Sequence, residues 1–229
     1  MDAYRSEDEQ VEALKRWWKE NGASTLLTIV VLVGGYFGFQ TWQKNKQQQQ
    51  AGASAQYQQL LQVSMELEQD ANDARYATAS HLVDTLKNEY PSTLYAHYAA
   101  LMQAKLLVDQ KDLEAAQAQL RWVLDNDPEP ELQQLAKLRL ARVMFAAGQP
   151  EQALAQMSSA DYGEFAALYY ELRGDIHASQ GDLEAARQDY QSALASDAGN
   201  PNAMPLVRMK LESLPRDTST DRVLSDDES

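Results

Sequence analysis

Hydrophobic and polar residues follow three different rhythms along this chain. From Ala23 to Phe39 the run ASTLLTIVVLVGGYFGF is apolar for most of its length, and no residue between Glu20 and Lys44 is charged. A helix of roughly 20 residues rising about 1.5 Å each is about 30 Å long, the thickness of a bilayer's hydrocarbon core. Trp17 and Trp18 stand at one end and Tyr36 and Trp42 toward the other, as amphipathic rings do at the two interfaces of a membrane. The pattern predicts a transmembrane helix over residues 21–43. A buried core helix is the alternative, but soluble cores rarely supply so long an uncharged one.

From about residue 57 the apolar positions recur at helical spacing, and the pattern itself repeats. KDLEAAQAQL at 111–120 returns as GDLEAARQDY at 181–190, 70 residues further on, about twice the 34-residue period of a tetratricopeptide array. Such a unit needs small residues where its two helices cross and large ones in the seams. One register supplies Ala104, a turn at Lys111-Asp112, Ala116, Leu120, Val123-Leu124 and a closing Pro128. The other supplies Gly174, Gly181-Asp182, Ala186, Tyr190 and Ala193-Leu194. Between them lie Ala141, Gly148-Gln149 and Ala153, at turn spacings of 37 and 33 residues. Residues 57–91 hold a degenerate unit with Ala79, Val83, Leu86 and a closing Pro91 that caps the stack's N-terminal end. Met204 to Leu214 reads as one amphipathic helix, with Leu206, Met209 and Leu214 as candidates to cover the last repeat. A non-repetitive bundle is the alternative; the agreement of turn, small positions and proline favours the repeat. The expected fold is all-α, a single N-terminal transmembrane helix followed by a tetratricopeptide-like α-solenoid.

The third rhythm lacks apolar periodicity. QKNKQQQQ at 43–50 holds neither Pro nor Gly, so the membrane helix is able to run on to Gln69 as a stalk, with a flexible linker as the alternative. Residues 215–229 carry five acidic groups and read as a disordered acidic tail. The expected organisation is therefore a cytoplasmic N-terminal segment (1–20), the span (21–43), a stalk or linker (44–56), the repeat domain (57–214) and the tail (215–229). Within the first segment Val11, Leu14 and Trp18 share a helical face, which suits a short helix lying toward lipid or a partner.

Charge sets the topology and removes several function classes. Arg5, Lys15, Arg16 and Lys19 precede the span and only Lys44 and Lys46 follow it closely, so the N-terminus is expected in the cytoplasm and the rest outside it. The A-x-A patterns in Ala51–Ala55 lie well past the apolar run, so an uncleaved signal anchor is expected. A net charge of −14 opposes phosphate contact and makes nucleic acid a poor partner. The absence of cysteine excludes thiol catalysis and Cys-based metal sites and suits an oxidising compartment. No nucleophile-elbow, zinc-protease, phosphate-loop or EF-hand motif occurs. His81, His97 and His177 sit far apart with no pair spaced to chelate a metal. The expectation is a chain that is not an enzyme and needs no cofactor.

A tetratricopeptide stack is lined on its concave face by first helices and usually holds an extended or helical segment of a partner. On the register above, that face includes Tyr98, Leu101, Lys105, Arg142, Phe145, Glu171 and Asp175, the candidate protein-binding groove. The alternative is that these residues contact the stack's own capping helix or water. Gly34 and Gly38 form a G-x-x-x-G pair at which another membrane helix is able to approach closely.

The opening Asp8–Gly22 (DEQVEALKRWWKENG), followed directly by a single span, resembles the N-terminal signature of the YfgM family of bacterial inner-membrane proteins. The resemblance continues in Leu138-Arg-Leu-Ala-Arg-Val143, in Leu172-Arg-Gly-Asp175 and in Met209-Lys-Leu with Leu214, over roughly residues 1–214. It implies an ancillary subunit of the Sec translocon. Such a subunit is a single-pass protein of the cell inner membrane with a periplasmic domain. Its implied partners are SecYEG subunits, a membrane-anchored periplasmic chaperone of the PpiD type, and exported client proteins. The alternative is a membrane-tethered scaffold for another cell-envelope assembly, or a stress-response regulator. The tail beyond Leu214 looks longer than the family's usual end, and nothing is carried over to it.

Overall fold

Capping residues divide the chain where its hydrophobic pattern changes phase. In the computed structural model, which describes residues 7–158, 162–196 and 204–215, these residues form α-helices with one short 3-10 turn and no strand. The helices are α1 (Glu7–Gln69), α2 (Asp73–Glu89), α3 (Leu94–Asp109), α4 (Leu113–Asp125), α5 (Pro130–Ala146), α6 (Pro150–Gln156), α7 (Ala166–Ser179), α8 (Leu183–Ser196) and α9 (Pro205–Ser213). The side chains of Asn72, Thr93 and Asp112 each accept a hydrogen bond from the amide three residues on, and Asp182 does the same for Ala185. These bonds satisfy amides that an α-helix leaves unpaired at its start. Helices α5, α6 and α9 begin instead with proline, which needs no such partner.

The chain divides into two compact units, Met1–Ser54 and Ala55–Ser229. In the first, α1 carries a stretch apolar and long enough to cross a membrane, with a mean hydropathy of 1.7. Its Leu26, Leu27, Val30, Val31, Leu32, Phe37 and Phe39 are all exposed. In water that surface would be costly, and a hydrocarbon phase removes the cost. Nothing lies within 4 Å of where a Cβ would stand on Gly34 or Gly38, so this face of the helix is open.

In the second unit, three turns use the same device. The amides of Asp112, Gln149 and Asp182 bond to the carbonyls of Leu107, Met144 and His177 at 2.9–3.0 Å. The preceding residues, Lys111, Gly148 and Gly181, have φ of 64°, 73° and 82°. This is the Schellman closure, in which a left-handed residue ends one helix and redirects the chain. Four residues past each turn amide lies a fully buried alanine, Ala116, Ala153 and Ala186, at the point where paired helices touch. In α2, Ala79, Val83 and Leu86 are buried at positions equivalent to Ala116, Leu120 and Val123, and Pro91 precedes α3 as Pro128 precedes α5. The stack thus consists of α3 with α4, α5 with α6, and α7 with α8, with α2 packed on α3.

One apolar core runs from α3 to α7 through Leu120, Leu138, Leu140, Tyr169 and Ile176. A second gathers Ala186, Tyr190, Ala193 and Val207 between α8 and α9.

One sequence expectation needs correction. The last helix covers the stack with Met204, Val207, Leu211 and Leu214. Leu206 and Met209, expected to serve there, are 56% and 64% exposed. They lie on the other side of α9, because Met204, Val207, Leu211 and Leu214 recur three and four residues apart and form the packed face. In the α5–α6 pair the second helix, α6, has seven residues. Beyond α6, Tyr162 packs on its neighbours. The Tyr162 hydroxyl donates to the Met157 carbonyl at 2.6 Å, and the Tyr162 and Tyr169 rings stack at 4.5 Å. The tail expected from 215 lies outside the described residues from 216 onward, as does the N-terminal segment before Glu7.

Candidate protein-binding groove

Helices α3 and α5, the first helices of neighbouring pairs, leave a groove of about 330 Å³ between them. Its apolar lining is Leu101, Ala104, Val108, Leu120 and Val143, and its polar lining is Lys105, Arg139 and Arg142. The apolar residues follow from helix periodicity: Leu101, Ala104 and Val108 fall three and four apart on α3 and share one face. Arg139, Arg142 and Val143 do the same on α5. Lys105 approaches Glu68 to 3.7 Å, but both side chains are mostly exposed and such a pair contributes little. Among the described residues neither Arg139 nor Arg142 has an acidic partner within salt-bridge distance. Burial first, and then the neighbouring Arg142, holds the Arg139 guanidinium below its ordinary value. Chemically, this is an apolar cleft able to take aliphatic side chains, with cations placed to receive carboxylates.

Of the candidate residues read from sequence, Leu101, Lys105 and Arg142 come together in this groove. Tyr98 is 40% exposed and lies against Tyr57 at a ring separation of 6.2 Å. Phe145 is half-buried and packs on the core that runs from α3 to α7. Glu171 and Asp175, on α7, face the chain's own last helix: Lys210 Nζ donates to each at 2.8 Å. Burial opposes the Lys210 charge, but its bonds to Asp175 and Glu171 outweigh burial and hold its pKa above the ordinary value. Sequence reading missed Arg139, although it stands one helical turn from Arg142, where the same face recurs.

A second polar cluster lies at the α7–α8 crossing. Asp189, 3% exposed, accepts two bonds from the Arg173 guanidinium and lies 2.9 Å from His177 Nδ1. The hydrogen bond to Asp189 raises the Arg173 pKa, with burial opposing it. Tyr190 donates to Asp175 at 2.8 Å, and a Cβ added to Gly174 would fall 2.6 Å from the Tyr190 ring. Among the described residues no three His, Cys, Asp or Glu side chains gather as metal ligands would.

A family profile described as a tetratricopeptide repeat-like domain matches residues 15–216. The ancillary SecYEG translocon subunit of Haemophilus influenzae is 33% identical over 213 residues, covering 93% of this chain and 100% of that protein. The Escherichia coli K12 protein of the same name is 30% identical over 214 residues, 93% of this chain and 99% of that protein. The Neisseria gonorrhoeae one is 28% identical over the same share of this chain. The chain belongs to the YfgM family. Segments that carried the YfgM resemblance in sequence have definite places in the fold. Leu138–Val143 is the α5 wall of the groove. Leu172–Asp175 supplies the cation, glycine and carboxylate of the α7–α8 crossing, and Met209-Lys-Leu supplies the lysine that ties α9 to α7. These YfgM-like stretches hold packing positions as well as the groove's cations.

Proposed function

We propose that this chain is an ancillary subunit of the Sec translocon that works by contact rather than by catalysis. Its single span anchors it in the inner membrane, with the N-terminus in the cytoplasm and the repeat stack in the periplasm. There the stack binds a membrane-anchored chaperone of the PpiD type and assists proteins emerging from the channel. The observation that carries this reading is the extent of the likeness to ancillary SecYEG translocon subunits. It covers 93% of the chain and all of the first relative, so it takes in the apolar helix as well as the repeats. The groove between α3 and α5 supports it, being a cleft fit for a peptide segment. Four cations before the span against two just after it support the orientation. Tethering would raise the stack's local concentration beside the channel, so that weak contacts are often occupied.

The test is in-cell photocrosslinking from position 142, followed by mass spectrometry, together with an alkaline phosphatase fusion after residue 214. Crosslinks to channel subunits or to a membrane-anchored chaperone, with an active phosphatase, are expected. An inactive phosphatase, or crosslinks confined to another envelope assembly, would overturn the proposal.

A further inference from the structure

The groove between α3 and α5 is apolar at its base, cationic at its edge, and part of a chain of net charge −14. We propose that its occupant in the resting protein is the chain's own C-terminal tail, with Val223 and Leu224 seated on the apolar lining and Asp226, Asp227 and Glu228 against Arg139 and Arg142. The inference rests on reading this groove as the docking surface, and it adds how that surface is regulated.

Charge complementarity is the first argument. The groove lining includes three cations and no carboxylate, and both arginines lack an acidic partner among the described residues. Arg142 stands close enough to the Arg139 guanidinium to oppose its charge, and an incoming carboxylate relieves that opposition. The tail offers the matching order of groups: its only two aliphatic side chains, Val223 and Leu224, are followed at once by Ser225 and three acids. Elsewhere on so acidic a chain, a segment carrying three adjacent carboxylates meets mainly repulsion.

Chain length is the second argument. Pro215 lies at α8, where its carbonyl accepts from Arg187 Nη2 at 2.8 Å. Helix α8 packs on α7, and α7 meets α5 through the Tyr169 hydroxyl, which donates to the Gln134 carbonyl at 2.8 Å. Two helix-to-helix steps of about 8–10 Å each separate the attachment point from the groove wall, about 20 Å in all. Eight residues from Pro215 to Val223 extend up to about 29 Å, which is enough. A segment tied this closely has an effective concentration near the millimolar range, so a weak contact suffices to keep the groove occupied. A partner segment must then displace the tail.

The chain lacks cysteine, so disulfide trapping reads the contact without background. In the full chain purified in detergent, Val108→Cys with Leu224→Cys tests the groove. Ala118→Cys with Leu224→Cys tests an exposed position on α4 outside it. Under mild oxidation the groove pair is expected to form an intrachain disulfide about tenfold more than the control pair, independent of protein concentration. Adding Asp226→Lys, Asp227→Lys and Glu228→Lys should bring the yield down to the control. Adding Arg139→Glu and Arg142→Glu to that variant should restore it. Equal yields at positions 108 and 118, or disulfides formed only between chains and rising with concentration, would overturn the inference. These outcomes separate from the functional reading. A tail disulfide at control yield sinks this inference alone, while absent translocon crosslinks from position 142 sink the functional proposal alone.

Discussion

Replacing Gly174 with alanine sets two effects of opposite sign against each other. Gly174 lies inside α7, where alanine is the better helix former by about 1 kcal/mol. The new Cβ, however, would stand 2.6 Å from Cδ1 and Cε1 of Tyr190, and carbon atoms pack at about 3.5–4.0 Å. Ring or helix must give way by about 1 Å. The ring has little room, being 3% exposed with its hydroxyl held on Asp175 at 2.8 Å, and Asp175 is itself held by Lys210. Overpacking of this kind costs about 1–3 kcal/mol, and a disturbed hydroxyl bond adds about 1 kcal/mol. After the helix gain is subtracted, a net loss of about 2 kcal/mol remains, which for a chain of this size lowers Tm by about 4–8 °C. Thermal melting of the full chain in detergent, followed by circular dichroism at 222 nm, measures it. In a Tyr190→Leu background the same substitution should cost nothing or stabilise, because the obstructing ring is gone. A Tm equal to or above the parent's, or the same loss in both backgrounds, would refute the reasoning.

Lys111 occupies, at φ 64°, the turn position that Gly148 and Gly181 hold in the other two copies. Lys111→Gly should therefore raise stability by about 0.5–1 kcal/mol, while Gly148→Ala and Gly181→Ala should each lower it by about 1 kcal/mol, read as urea midpoints. Burial, and then Tyr162, pushes the Tyr169 phenol up to about 12 from 10.0, so the folded chain keeps a proton that the unfolded chain has lost above pH 10. Stability is whole below pH 10 and falls between about pH 10 and 12; Tyr169→Phe should flatten that fall by on the order of 2 kcal/mol in melts across the range. Asp189→Ala leaves Arg173 and His177 facing each other at the α7–α8 crossing, and an unfolding titration should show a loss of about 2–3 kcal/mol. A loss below about 0.5 kcal/mol would mean that water replaces the carboxylate without cost.

Sequence reading worked best where chemistry is local. Gly181, Ala186 and Asp182 act through backbone geometry and contact distance within one helix pair, so their spacing alone marks them. The same holds for Ala79, Val83, Leu86 and Pro91, whose offset from the next copy is 37 residues. What stayed hidden depends on partners distant in the chain. Lys210 shares the buried side of α9 with Val207 and Leu211 and reaches Glu171 and Asp175, 39 and 35 residues away, partners that residues 204–214 alone do not announce. The stacking of Tyr162 on Tyr169 of the following helix is a contact of the same kind, invisible until the two rings are brought together. In the groove, Leu101, Lys105 and Arg142 were legible as one face of successive first helices. Arg139 was not, since a cation on a helix reads from sequence as an ordinary solvated side chain.

The same face of the first helices serves two ends along the stack, and charge decides which. On α7 it presents carboxylates, and the protein satisfies them itself with Lys210 from α9. On α5 it presents Arg139 and Arg142, for which the described residues supply no carboxylate, although acidic groups outnumber basic ones 34 to 20 in the chain. The two arginines stand above an apolar cleft, where an incoming segment meets both. Screening confines their pull to roughly 8 Å at physiological salt, so they act only on a segment already at the groove. An acidic segment with an aliphatic pair would meet both conditions at once, whereas the carboxylates of the α7 face are already paired with Lys210.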